Sequence, residues 1–278
     1  MVRPVPGLAR TRPARKRFGQ HFLEQTWVDK VVAAVAPQPG QVFLEIGPGR
    51  GQLTAPLARA GATVHGVEID RDLVAELQAR NLPGVHVHEG DFLALPPETW
   101  FGGDRPYRVA ANLPYNISTP VLGRLLRHAR EGLVSDAFLM LQKEVADRLI
   151  ARPGSGEYGP LAVAMALQAD VTRVLVLPPG AFRPPPKVHS AVVRIVFGPD
   201  RVQVADLPRF EAIVRHVFTQ RRKMLGTTLQ ALAKGEGADA RAWLATAAID
   251  GTRRAETLSL EEFATLASAA RRPSPDAG

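Results

Sequence analysis

The spacing of hydrophobic positions changes twice along this chain. Residues 24–36 place Trp27, Val28, Val31, Val32 and Val35 on one face of a helix, which Pro37 ends. Short apolar runs then alternate with helical segments. Strands are predicted over 42–46, 63–69, 85–88, 107–111 and 137–141, and helices over 52–60, 71–80, 119–129 and 143–151. Two later runs, 171–177 and 191–197, flank the proline-rich loop 178–188 and read as a hairpin closing the sheet. Strands that alternate with helices imply an α/β fold whose mostly parallel sheet is covered on both faces.

The pattern changes again across 198–206. Phe210, Ile213, Val214, Val217 and Phe218 follow the spacing of an amphipathic helix, and helical segments continue to 270 with no strand signal. The expected organisation is a flexible basic arm (1–14), an α/β domain (15–200) with seven strands, a small all-α domain (201–270) and a disordered tail (271–278). No internal repeat is present.

Composition narrows the function classes. A chain of 278 residues suits one large and one small domain, and 45% hydrophobic residues suffice for a sizeable core. The net charge of +8 points to a polyanion, of which nucleic acid is the commonest. Residues 1–17 carry six basic side chains and no acid, suited to lying along phosphates. With no cysteine there is no disulfide, zinc-thiolate site or thiol nucleophile. No apolar run reaches the length of a membrane span, so no membrane contact is expected. His86 and His88 share a strand face, but the histidines suggest no metal site.

The candidate chemistry gathers where strands end. The first predicted strand runs into Glu45-Ile46-Gly47-Pro48-Gly49-Arg50-Gly51, a glycine-rich turn opening a helix. Glu68 ends the second strand, placed to accept hydrogen bonds from two ribose hydroxyls, and Asp91 follows the third, placed for an adenine amino group. Gly-x-Gly-x-Gly with an acid two residues before it looks like the S-adenosylmethionine methyltransferase pattern; dinucleotide enzymes favour Gly-x-Gly-x-x-Gly. After the fourth strand comes Asn112-Leu113-Pro114-Tyr115-Asn116-Ile117-Ser118-Thr119. The exocyclic nitrogen of adenine is a poor nucleophile because its lone pair is delocalised into the ring. Two acceptors on its protons, the Asn112 side-chain carbonyl and the Leu113 backbone carbonyl, would favour a pyramidal nitrogen. Pro114 biases Leu113 to extended geometry, and Tyr115 offers an aromatic face for the base.

Taken together these motifs resemble the bacterial small-subunit rRNA adenine dimethyltransferase family (KsgA type), over roughly 15–266. Arg17-Phe18-Gly19-Gln20-His21-Phe22-Leu23 is similar to its N-terminal cofactor-lid motif, and 45–51 and 112–119 to its glycine and catalytic loops. Phe182-Arg183-Pro184-Pro185-Pro186-Lys187-Val188-His189-Ser190 is similar to its second target-base loop, and 218–223 and 254–259 to its helical-domain signatures. The resemblance implies a Rossmann-like class I methyltransferase fold and S-adenosylmethionine contacts at His21, Leu23, Gly47, Gly49, Glu68, Asp91 and Asn112, with no metal. The family's commonest residue at the first of these is Asn, so a backbone contact is what His21 retains. It further implies a cytoplasmic, monomeric enzyme that dimethylates two adjacent adenosines near the 3′ end of 16S rRNA in the immature small subunit, leaving S-adenosylhomocysteine. Phe182 is expected to stack on the base opposite Tyr115. Lys187, Arg221, Arg222 and Lys223 are expected to meet RNA. Three alternatives remain at this point: a large-subunit rRNA enzyme, a DNA adenine methyltransferase, and a non-catalytic RNA-binding factor on the same fold.

Overall fold

The computed structural model describes residues 21–103 and 106–270; the basic arm, the rest of the lid motif before His21, and the tail lie outside them. The expected seven-stranded sheet is present. Its strands are β2 (Val42–Ile46), β3 (Thr63–Glu68), β4 (Val85–Glu89), β5 (Tyr107–Asn112), β6 (Val134–Gln142), β7 (Ala169–Leu177) and β9 (Ser190–Phe197), in the order β4-β3-β2-β5-β6-β9-β7. The first five run parallel, while β9 pairs antiparallel with both β6 and β7. Phe43, Leu44 and Ile46 are all buried, as expected of a central strand covered on both faces.

The direction of chain progression reverses at β2, which has β3 on one side and β5 on the other. In such sheets the crevice at the carboxyl ends beside the reversal receives ligands. Pairing of Ile46 with Val67, and of Asn112 with Met140, brings these ends to one rim.

The helices α1 (Gln25–Val35), α2 (Thr54–Arg59), α3 (Arg71–Ala79), α4 (Ser118–Arg130) and α5 (Lys143–Leu149) match predicted segments, each slightly trimmed or extended. Asp70 caps α3 by accepting the Asp72 amide at 3.1 Å. One helix was not predicted, α6 (Pro160–Gln168). Its sequence PLAVAMALQ is apolar on every side, so it carries no amphipathic period. A two-stranded sheet was also not predicted. In it β1 (Phe22–Leu23) pairs antiparallel with β8 (Phe182–Arg183), and two residues are too few to show alternation.

The helical portion comprises α7 (Leu207–Phe218), α8 (Leu225–Gly235), α9 (Ala240–Thr246) and α10 (Leu260–Ala269). All five apolar residues predicted for the α7 face are buried. Ser259 and Glu262 form a capping box at the start of α10. The second core is not made of the last helices alone. It also takes Tyr158, Ala162, Val163 and Leu167, while Met165 of the same α6 joins the core under the sheet. Burying Val163, Leu167 and Met165 stabilises by about 1.5–3 kcal/mol each, so α6 is held from both sides.

A polar chain crosses the first core beneath the rim. His128 Nδ1 bonds the Tyr107 hydroxyl, and Arg124 Nε donates to His128 Nε2 at 3.2 Å. Accepting from Arg124 requires an unprotonated Nε2, so the imidazole is neutral and its proton sits on Nδ1, directed at Tyr107. Burial first, then the Arg124 and Arg127 charges, lower the His128 pKa to about 4. His65, stacked on His86 and His88, is also lowered to about 4, mainly by burial. Their contribution to stability is complete above the unfolded value of 6.5 and is lost as pH falls toward 4. A proton NMR titration should find both rings neutral at pH 6 with inflections near 4; a His128 inflection near 6.5 would contradict this polar chain.

Candidate active site

A cavity of about 250 Å³ opens at the rim beside the reversal. It is lined by the glycine loop, by Glu68 and Ile69 at the end of β3, by Gly90–Leu93 after β4, by Asn112–Ile117 at and beyond the end of β5, and by His21–Leu23. The residues expected to hold the methyl donor and those of the Asn112–Tyr115 motif therefore reach one space: His21, Leu23, Gly47, Gly49, Glu68, Asp91, Asn112, Leu113, Pro114 and Tyr115.

The glycine loop is shaped by two constraints. Gly47 has φ +67°, which disfavours any side chain, and a Cβ there would meet no protein atom within 4 Å, so the backbone faces open space. Gly66 on β3 lets the loop lie flat, since a Cβ there would come 2.9 Å from Pro48 Cγ. Glu68 then fixes the turn. Its Oε2 accepts the Gly49 amide at 2.9 Å and its Oε1 accepts the Asp70 amide at 3.0 Å. Each oxygen keeps a second lone pair for a ribose hydroxyl. Burial raises the Glu68 pKa, and these backbone bonds oppose the rise. Asp91 Oδ1 accepts the Leu93 amide at 2.9 Å, a local turn that points the carboxylate along the rim.

The loop that follows β5 is aimed by contacts from far along the chain. Asn112 Nδ2 donates to the His21 carbonyl at 2.8 Å. That bond turns the Asn112 Oδ1 the opposite way, and among the described residues no donor is bonded to it. Tyr115 is half-buried, its hydroxyl 2.7 Å from Ser190 Oγ, and burial raises its pKa. The His21 ring stacks on Tyr115 at 5.9 Å between centroids, and His21 Nδ1 donates to the Pro184 carbonyl at 2.7 Å.

Two expectations are corrected here. Phe182 does not reach the cavity. It is 1% exposed and packs with Leu23, Val28 and Met140, because pairing in register with Leu23 turns it inward and Arg183 outward. The ring facing Tyr115 is His21. Arg221 is not a free cation: it donates to the Gly156 carbonyl at 2.8 Å and pairs with Glu256 at 3.3 Å, tying the α7–α8 loop to neighbouring segments. Arg222 and Lys223 in that loop are exposed, as is Lys187.

Some structural contributors gave no sequence signal. Gln52 accepts the Leu23 amide at 3.0 Å and donates back to the Leu23 carbonyl, joining β1 to the glycine loop like an extra strand residue. Arg124, on α4, donates to the carbonyls of Phe92 and Leu95 and so pins the segment that carries Asp91.

S-adenosylmethionine fits this wall chemically. Three acids and no Lys or Arg line the cavity among the described residues, which suits a cationic ligand. Ile69, 51% exposed, and the neighbouring Leu93 offer an apolar surface beside Glu68 and Asp91 for a purine.

Comparison with known proteins places the chain. The model of the ribosomal RNA adenine dimethylase family matches residues 11–271. The chain belongs to that family. Within it, the chain is 48% identical over 256 residues to ribosomal RNA small subunit methyltransferase A of Syntrophotalea carbinolica, covering 91% of this chain and 95% of the relative. It is 41% identical over 268 residues to the protein of that name in Xylella fastidiosa, covering 92% and 96%. A dimethyladenosine transferase from Plasmodium falciparum superposes with TM-score 0.72 at 25% identity, covering 88% of this chain and 96% of that one. The family's α/β class I methyltransferase fold is the one described above.

Gly47→Ala should cost about 1–2 kcal/mol of stability from its left-handed φ and weaken S-adenosylmethionine binding at least tenfold by calorimetry. Unchanged affinity would mean the donor does not lie against this turn.

Proposed function

We propose that this protein transfers methyl groups from S-adenosylmethionine to N6 of two adjacent adenosines near the 3′ end of 16S rRNA, acting as a cytoplasmic monomer on the immature small subunit. The observation that carries the reading is the convergence of the glycine loop, Glu68, Asp91 and Asn112–Tyr115 on one rim cavity. The curated relatives named for methylating small-subunit rRNA support this choice of substrate.

In this reading His21, Leu23, Gly47, Gly49, Glu68, Asp91 and Asn112 hold the donor, with Glu68 on the ribose and Asp91 on the adenine. When bound, the donor supplies a methyl group on a sulfonium, which leaves as a neutral thioether. The target adenine must leave its stack to enter the cavity. Its amino protons meet the Asn112 Oδ1 and the Leu113 carbonyl. As the protons are held, the N6 lone pair turns out of the ring's conjugation toward the methyl carbon. A nitrogen–carbon bond forms, the carbon–sulfur bond breaks toward sulfur, and the N6 proton departs to water. No strong base is needed, because methylated N6 is acidic until it loses that proton. Tyr115 contributes ~1–3 kcal/mol by stacking on the base. The protein's part is therefore orientation and electrostatic complementarity.

RNA affinity is assigned to exposed cations, namely Lys187 in the 182–190 loop and Arg222 and Lys223 after α7, while Arg221 shapes the loop they stand on. Incubating the protein with unmethylated small subunits and labelled donor, followed by nuclease digestion and mass spectrometry, should yield dimethyladenosine. Labelling of large subunits or duplex DNA in its place would overturn the choice of substrate. Asn112→Ala should reduce methyl transfer by a factor of a hundred or more while leaving donor binding within about tenfold, in line with loss of a charge-stabilising acceptor. Replacing Arg222 and Lys223 together should weaken RNA binding and lower the salt slope by ~1.4, at ~0.7 per phosphate contact on single strands. An unchanged slope would remove these two residues from the RNA interface.

A further inference from the structure

Glu45 is the one acid of the cavity that the contacts above leave without a task. It stands near the end of β2, 2% exposed, and lines the cavity. Its Oε2 accepts the Thr54 hydroxyl at 2.5 Å. The groups around it are few in kind. Glu68 approaches from β3, Asp91 lies beyond β4, and His21 comes from the N-terminal segment; α2 offers only the uncharged Thr54. Among the described residues, no Lys or Arg lines the space.

Burial without a cation disfavours a carboxylate's charged form, and a second carboxylate beside it disfavours that form further. The free cavity is therefore most stable with Glu45 neutral. Its pKa is raised to about 8, first by burial and then by the Glu68 charge, with the Thr54 hydrogen bonds offsetting part of the rise. S-adenosylmethionine brings a sulfonium and an ammonium into this acid-walled space.

We propose that Glu45 releases its proton to solvent when the donor binds, and in the ionised form is the donor's counter-ion. The inference rests on the methyl-donor reading above. Donor binding is then an exchange of one positive charge for another. Affinity should rise close to tenfold per pH unit below the Glu45 midpoint, as one linked proton requires.

Calorimetric titration of the full chain with S-adenosylmethionine at neutral pH, in buffers of differing ionisation enthalpy, counts the protons released. Close to one is expected for the wild type and close to none for Glu45→Gln. An infrared difference spectrum of the wild type should lose a protonated-carboxyl band on donor binding, and it needs no variant to fold. Binding without proton release would overturn the role of Glu45 and leave the donor site standing, as would equal release from the Gln variant. Absence of any donor binding would overturn the methyl-donor reading itself.

Discussion

Parallel pairing of the central strand β2 with both β3 and β5 is the constraint from which the rim follows. Because all three strands end at one level, the glycine turn, the Glu68 carboxylate and Asn112 face a common space although they stand far apart in sequence. A register slip of one residue would turn each side chain to the opposite face of the sheet. The two covered faces of β2 resist such a slip, since it would carry Glu45 from the cavity side into the layer of Leu44 and Ile46.

The second layer of organisation is backbone recognition by side-chain amides. Gln52 clasps the peptide of Leu23, and Asn112 clasps the carbonyl of His21. Two consecutive stretches of the N-terminal segment are thereby sewn to the glycine loop and to the loop that follows β5. Neither clasp depends on the identity of the residue whose backbone is held. The His at position 21 is thus compatible with this geometry, and its ring is free to stack on Tyr115 and reach Pro184.

Much of this was legible in the sequence. All seven strands of the sheet, the amphipathic face of α7 and the glycine loop carry local patterns, and each was placed within a few residues. The motif Asn112–Tyr115 could be located at a strand end because that strand was itself clear. What stayed hidden has no local pattern. Helix α6 is apolar all round, and β1 and β8 are two residues each. The clasps join residues 29 and 91 positions apart, and His21 meets Pro184 across 163. Phe182 was misplaced for a related reason. Its facing is set by the partner strand, and a proline-rich segment read alone suggests an open loop. Arg221 in a run of three cations looked equivalent to its neighbours until Glu256 was found beside it.

Helix α6 lends residues to both hydrophobic cores, with Met165 on one side and Ala162 and Val163 on the other. A helix gripped in this way cannot act as a hinge, because bending there would expose apolar surface on two fronts at once. The helical portion and the sheet are thus joined through one shared, buried helix. The exposed Arg222 and Lys223 of the α7–α8 loop therefore stand at a spacing from the rim cavity that is set by shared packing, and any long ligand touching both would have to match it.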